Sequence, residues 1–186
     1  MRIIGGEWRS RRLKSIPGDE TRPTPDRLRE TLFDILQTRI EGATFLDGYA
    51  GTGAVGIEAL SRGARHVYFL ERNRNAVEAI RANLASLGAS GRATVVPGQV
   101  FKSLALHRAE IVFLDPPYEL EKEYVASLEL LGAPETEPRP SGSGASPLVI
   151  VQHSKWLKLA EAYRELRRTR VVRQGDNELS FYSAVG

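Results

Sequence analysis

The chain contains no cysteine, so a disulfide scaffold, a thiolate nucleophile and cysteine-ligated zinc or iron–sulfur sites are excluded. Histidine is nearly as scarce. His66, His107 and His153 lie far apart, and no metal site is expected from them. Nowhere does an apolar run approach the roughly 18 residues of a membrane span. Met1 is followed by Arg2, Ile3, Ile4 and two glycines, which lacks the apolar stretch of a secretory leader. These absences predict a soluble, cytoplasmic protein with no membrane partner. Neither sign of charge dominates, since 26 basic against 23 acidic residues leave only +3. What remains is ordinary globular material: 41% apolar and 26% charged over 186 residues, enough for one domain and short for two.

The distribution of charge says more than the total. Residues 1–14 carry five basic side chains, Arg2, Arg9, Arg11, Arg12 and Lys14, against the single acid Glu7. A second stretch, 154–174, carries seven basic residues against Glu161 and Glu165. If the two fold onto one face, they form an anion-attracting surface suited to a phosphate backbone; otherwise they are solvated faces.

Residues 1–22 read as a basic arm, with short strands at 2–5 and 8–14 around Gly5-Gly6. Thr24 as N-cap and Pro25 in the first helical position open a helix reaching to about residue 40, with the stripe Leu28, Leu32, Leu36, Ile40. Short apolar runs then alternate with helical patterns. Strands are predicted at 44–46, 67–70, 93–96, 111–114 and 148–151, and helices up to Gly63 and at 75–87, 101–106 and 121–131. This order predicts an α/β, doubly wound, mostly parallel sheet in a single domain spanning 1–186. The proline- and glycine-rich segment 132–147 reads as a flexible surface loop. Residues 155–166 read as a mixed-charge helix, and 169–173 with 179–185 as an antiparallel hairpin closing the sheet.

Two constellations fall at strand ends. From Phe45 to Gly56 the sequence Phe-Leu-Asp-Gly-Tyr-Ala-Gly-Thr-Gly-Ala-Val-Gly takes a strand through a tight loop into a helix. Glycines let backbone approach a ligand, and a helix N-terminus offers unpaired amides. Gly51-x-Gly53-x-x-Gly56 matches the dinucleotide fingerprint, a weak signal alone. Glu71, 24 positions beyond Asp47, can accept both ribose hydroxyls of a nucleoside. Asp47 either meets a ligand's ammonium or hydroxyl, or caps the turn. No Gly-Lys-Ser/Thr follows, which rules out a Walker-type loop. The second constellation is Asp115-Pro116-Pro117-Tyr118 after the buried run Ile111–Leu114. Two prolines hold the backbone extended, so Asp115 and the Pro116 carbonyl present two acceptors and Tyr118 a flat face. An exocyclic amine on a base requires that set; the alternative is a turn with a capping aspartate.

Together these residues resemble the class I S-adenosylmethionine-dependent amino-methyltransferases. Arg2-Ile3-Ile4-Gly5-Gly6, Thr21-Arg22-Pro23-Thr24, Arg29-Glu30-x-Leu32-Phe33, Glu58-Ala59-Leu60-Ser61-Arg62-Gly63-Ala64 and Gly175-Asp176 further resemble the bacterial 16S rRNA guanine-N2 methyltransferases of RsmD type, over essentially the whole chain. The resemblance implies a Rossmann-like methyltransferase fold with S-adenosyl-L-methionine as cofactor and no metal. It implies methylation of the exocyclic N2 of a guanosine in 16S rRNA, within the small subunit or an assembly intermediate, by a monomer.

Cofactor contacts are implied for Asp47, Gly48, Tyr49, Ala50, Gly51, Gly53, Glu71 and Arg72, and target-base roles for Asp115, Pro116, Pro117 and Tyr118. Where the family often has aspartate after a glycine beyond the third strand, this chain has Gly98-Gln99; the Gln99 amide oxygen can still accept from an adenine amine. The fifth strand, usually ending in Glu-His, ends here in Gln152-His153. Arg2, Arg9, Arg11, Arg12, Lys14 and Arg22 are the expected phosphate contacts. Trp8 either stacks on a nucleotide or packs the arm, while Trp156 and the histidines read as structural. Three other readings stand beside this one. A DNA adenine-N6 methyltransferase shares the Asp-Pro-Pro-Tyr chemistry. An inactive rRNA-binding assembly factor would keep the arm and lose the cofactor. A nicotinamide dehydrogenase is supported by the glycine pattern alone.

Overall fold

Continuously apolar strands can be stable only where both faces are covered, and the chain achieves this with helices on either side of one sheet. The computed structural model describes residues 1–15, 25–117, 119–134 and 146–184. Five strands, β1 (Thr44–Gly48), β2 (His66–Glu71), β3 (Ala93–Pro97), β4 (Ile111–Leu114) and β5 (Leu148–Ser154), run parallel. Three more, β6 (Ala162–Tyr163), β7 (Leu166–Gln174) and β8 (Asn177–Ala184), complete the sheet antiparallel. The order is β3-β2-β1-β4-β5-β8-β7-β6. Winding reverses between β1 and β4, which opens a crevice at their carboxyl ends.

The helices are α1 (Asp26–Leu36), α2 (Ala54–Ser61), α3 (Arg74–Ser86), α4 (Val100–Leu104) and α5 (Glu121–Leu131). Period-two alternation sorts strand side chains into two cores. Phe45, Phe69, Phe113, Ile150 and Phe181 share one with residues of α1, α2 and α3. Leu46, Leu70, Val112, Leu114 and Val151 share the other with Leu104 of α4 and with Tyr124 and Leu128 of α5. Among the described residues no helix is long and apolar enough to cross a membrane.

The N-terminal residues lie against the first of these layers. The two short strands predicted there reduce to one bridge, Arg2 to Arg12. Attachment comes from three buried anchors, Ile3, Trp8 and Leu13, and from polar groups beneath them. Glu58 of α2 accepts hydrogen bonds from the Ile4 and Gly5 amides, both at 2.8 Å. Ser61 Oγ accepts from the Trp8 amide at 3.0 Å and donates to the Gly5 carbonyl at 2.6 Å.

Several expectations need correction. The helix predicted at 155–166 does not form. Its apparent stripe, Leu159, Tyr163 and Leu166, buries all three residues in the α5-side core while the chain turns between them. Arg164 takes φ 51° to make that turn, and the Glu165 amide donates to the Gly132 carbonyl. α1 ends at Leu36 rather than near 40, with Pro25 as its N-cap; turns beyond it still bury Ile40. β5 runs three residues past its predicted end because β8 pairs with it out to Ser154 and Asn177. Thr24, Arg22 and the centre of the predicted surface loop lie outside the described residues.

Candidate active site

The glycine loop and the Asp115 segment meet across the crevice. β1 and β4 pair through Gly48 and Leu114, and the Asp115 amide donates to the Gly48 carbonyl at 3.3 Å. Asp47 lies opposite Phe113 in that register, so Asp47 and Asp115 point from the same face of the sheet. Beyond Leu114 and Val151, the next position on β5 is Gln152, which is buried beside Asp115. Its Nε2 donates to Asp115 Oδ2 at 3.0 Å. That bond holds the carboxylate in one orientation at the crevice.

Asp47 is buried, and its Oδ2 accepts from the Gly56 amide at 2.8 Å, satisfying one orphan donor in the first turn of α2. The capping reading of Asp47 is therefore realised, and the side chain still sits at the crevice. Burial holds its carboxyl well above the usual carboxylate range; the Gly56 hydrogen bond opposes this, and the charges of Asp115 and Glu71 add to it. Glu71 is buried too. Its Oε2 accepts from the Gly51 amide and its Oε1 from the Asn73 amide, both at 2.7 Å. The expected ribose acceptor thus also ties the loop to the end of β2, and each oxygen keeps a second lone pair for a hydroxyl.

Loop geometry follows from the glycines. Gly51 takes φ +55°, and a Cβ there would meet nothing within 4 Å, so this stretch of backbone faces open space. Gly56 serves packing: a Cβ would fall 2.3 Å from the Phe69 ring. Tyr49, at φ 65°, is half-buried and packs toward α4 and α5 rather than over the loop. Burial pushes its hydroxyl up. Ala50 is buried and its amide donates to the Leu70 carbonyl at 3.0 Å. Arg72 and Gln99 are exposed at the ends of β2 and β3, linked by the Gly98 amide bonded to the Glu71 carbonyl at 3.0 Å. Gln99 is the N-cap of α4, yet its side chain makes no capping bond.

On the acceptor side, Pro116 is buried and Pro117 exposed, while Tyr118 lies outside the described residues. The sequence leaves the Pro116 carbonyl without a local partner. The fold supplies one: Tyr124 of α5, fully buried, donates its hydroxyl to that carbonyl at 2.7 Å. A carbonyl has two lone pairs, so the second remains for an amine hydrogen. Tyr124 is the positioning group that sequence reasoning missed; Gln152 is marked there as a departure from the family's Glu-His, and the structure adds Asp115 as its partner. Tyr124 reads there as one more member of an apolar helix face.

The expected phosphate contacts divide. Arg2, Arg9, Arg11, Arg12 and Lys14 are exposed, and none forms an ion pair among the described residues. Trp8 is buried, with the Arg92 guanidinium 5.6 Å from its ring centroid, so of its two readings the packing one holds. The second basic stretch is largely neutralised locally. Lys155 pairs with Asp176, Arg164 with Glu129, Arg168 with Glu161 and Arg173 with Glu178. The reading of Trp156 as structural also fails, because it is 68% exposed.

Comparison with known proteins agrees with this geometry. The family described as conserved hypothetical protein 95 matches residues 1–183. A candidate rRNA methyltransferase of Bacillus subtilis is 31% identical over the full length of both chains. The ribosomal RNA small subunit methyltransferase D of Escherichia coli is 45% identical over 120 residues, covering 63% of this chain and 60% of that protein. The solved structure of a candidate methyltransferase from Escherichia coli superposes with a TM-score of 0.80 at 34% identity, covering 99% of this chain and 97% of that one. An RNA methyltransferase from Salinibacter ruber, solved with S-adenosyl-L-homocysteine, shares the fold at a TM-score of 0.63 and 14% identity, covering 88% and 94% of the two chains. The chain belongs to the conserved hypothetical protein 95 family and, within it, to the RsmD-type ribosomal RNA small subunit methyltransferases.

Proposed function

We propose that this chain transfers a methyl group from S-adenosylmethionine to the exocyclic N2 of a guanosine in 16S rRNA, within the small subunit or an assembly intermediate. The observation that carries the reading is the acceptor pair at the crevice: Asp115, held by Gln152, beside the Pro116 carbonyl, held by Tyr124. The relatives named as small-subunit rRNA methyltransferases support the RNA substrate. On the same reading the chain works as a monomer in the cytoplasm.

The residues fit the cofactor on two grounds. Asp47, Glu71 and Asp115 converge closely enough that two of them raise the pKa of the third, a cluster that a ligand bearing sulfonium and ammonium charges would relieve. Beside it, the open backbone at Gly51 leaves room for that ligand. When bound, S-adenosylmethionine supplies a methyl already activated by the sulfonium, so the protein's task is placement. Asp47 would meet the methionine end, Glu71 the ribose hydroxyls and Gln99 the adenine edge.

A guanine amine is a poor nucleophile because its lone pair is delocalised into the ring. Asp115 and the Pro116 carbonyl would accept its two hydrogens and so orient the nitrogen lone pair for in-line attack once cofactor is bound. Both bonds strengthen as positive charge develops on nitrogen. Asp115 acts as an orienting acceptor, and the proton can leave after transfer. Tyr118 would stack on the extruded base.

The test is transfer of labelled methyl from S-adenosylmethionine to 30S particles and to deproteinised 16S rRNA from a strain lacking this activity, followed by nucleoside mapping. N2-methylguanosine at one position is expected. Methylation of DNA adenine instead, or binding of NAD in place of S-adenosylhomocysteine, would overturn the reading.

A further inference from the structure

We propose that the exposed indole of Trp156 is a stacking platform for a nucleotide of the RNA beside the target guanosine, an inference that rests on the RNA reading above. Trp156 lies two residues past β5, and β5 runs parallel to β4 as its immediate neighbour. Trp156 therefore follows the same carboxyl edge of the sheet that carries Asp115, one strand over and four residues beyond Gln152, the position level with Asp115. The expected cofactor contacts occupy the ends of β1, β2 and β3, on the far side of β4. The edge from β4 toward β8 remains for the substrate, and Trp156 stands on it.

Packing gives this ring no role. It is 68% exposed, whereas the chain's other tryptophan, Trp8, is buried. Its backbone is nonetheless held in place: the Trp156 amide donates to Ser154 Oγ at 3.3 Å, and the Lys155 amide to the Asp176 carbonyl at 2.9 Å. Lys155 Nζ lies 4.6 Å from the ring centroid and is itself fixed 2.8 Å from Asp176. A held ring with a cation on one face and solvent around it suits a base, since every base offers a π-face. The surroundings favour nucleic acid over a protein partner. Lys155 lies over the ring and Lys158 Nζ donates to the Lys155 carbonyl at 3.2 Å, while the other exposed large apolar side chains, Phe101, Leu106, Val125 and Val171, belong to other segments.

The experiment uses the full chain as wild type, Trp156→Ala and Trp156→Phe. Kinetics are measured on 30S particles from a strain lacking the methylation. Trp156→Ala is expected to raise KM for the particle roughly tenfold, with kcat and S-adenosylhomocysteine affinity near wild type. Trp156→Phe should recover most of the loss, because a ring face remains. In parallel, deproteinised 16S rRNA should quench the red-shifted tryptophan emission of the wild type, which comes from Trp156 because Trp8 is buried. An unchanged KM in Trp156→Ala, while the wild type methylates the particle, overturns the platform alone. A raised KM without quenching by bare rRNA also overturns it, placing the ring on a ribosomal protein. Failure of the wild type to methylate any rRNA overturns the RNA reading itself.

Discussion

Asp115 is positioned from two sides: its amide is bonded to Gly48 and its carboxylate to Gln152. A group that touches the target amine and meets the cofactor only through its charge should affect transfer far more than cofactor affinity. Asp115→Ala should lower single-turnover methyl transfer on the order of a hundredfold or more, with S-adenosylhomocysteine affinity nearly intact by calorimetry. Asp47 behaves differently. Burial raises its folded pKa above its ordinary value of 3.8, so its ionisation disfavours the folded state. The stability this group contributes is full below the ordinary value and is lost as pH rises through the folded one. Asp47→Asn keeps an oxygen for the Gly56 amide and removes the buried charge. The variant should melt higher than wild type at pH 8, with the gap closing toward pH 4, and should bind cofactor more weakly at pH 8. Equal melting temperatures at all pH values would mean that Asp47 titrates at the same pH in the folded and unfolded chain, so that burial does not raise its pKa.

Among the elements, α2 has a double duty: its first turn closes the glycine loop and its last turns hold the arm. Glu58, 1% exposed, receives the Ile4 and Gly5 amides and pairs with Arg62 Nε at 2.9 Å; the fully buried Arg29 lies 3.7 Å away. Burial lowers the Arg29 pKa, and Glu58 is the largest opposing influence. Glu58→Ala would leave that buried guanidinium only the half-exposed Asp26 as a counter-charge and the Ile4 and Gly5 amides without their acceptor, and should cost about 3 kcal/mol in urea unfolding. Gly6→Ala tests the arm alone. The residue sits at φ +77°, and a Cβ would fall 1.9 Å from the Ser61 carbonyl oxygen, so the arm must lift for alanine to fit. Little of this was legible beforehand, because a glutamate and an arginine in sequence give no sign that they are buried together.

The parallel strands were legible, since their apolar runs and the glycines after them follow from burial on both faces. The segment 155–166 was not: Leu159, Tyr163 and Leu166 carry helical spacing by coincidence of where the chain dips into the core. The two tryptophans show the same limit. Composition cannot say that Trp8 lies under Arg92 while Trp156 faces solvent. The site divides likewise, with its acids, glycines and the Gln152 position readable from strand ends, and Tyr124 and the bond from Gln152 to Asp115 visible only once α5 and β5 are placed beside Asp115.

For the whole molecule, the question is where a phosphate backbone would rest. The C-terminal stretch has more cations, but four of them are held by Asp176, Glu129, Glu161 and Glu178. The arm has fewer, all exposed, and it is fixed by apolar anchors rather than by its charges. It also lies at a distance from the chemistry. The Glu7 amide donates to the Ser61 carbonyl and Arg11 reaches the Ser86 carbonyl, at the ends of α2 and α3 away from the crevice. Eight residues of α2 span about 12 Å, so these cations would grip RNA well away from the reacting base and without reading sequence. Neutralising three phosphate contacts should reduce the salt slope of binding by about two to three, at roughly 0.7–0.9 counterions each. The triple variant Arg9, Arg11, Arg12→Ala should therefore bind 30S particles more weakly at low salt, with the flatter slope, while cofactor affinity and melting temperature stay close to wild type because Ile3, Trp8 and Leu13 still anchor the arm. The paired variant Arg164, Arg168→Ala, measured over the same salt series, should leave the slope nearly intact. A reversal of these two results would assign RNA binding to the β7 edge and leave the arm as packing.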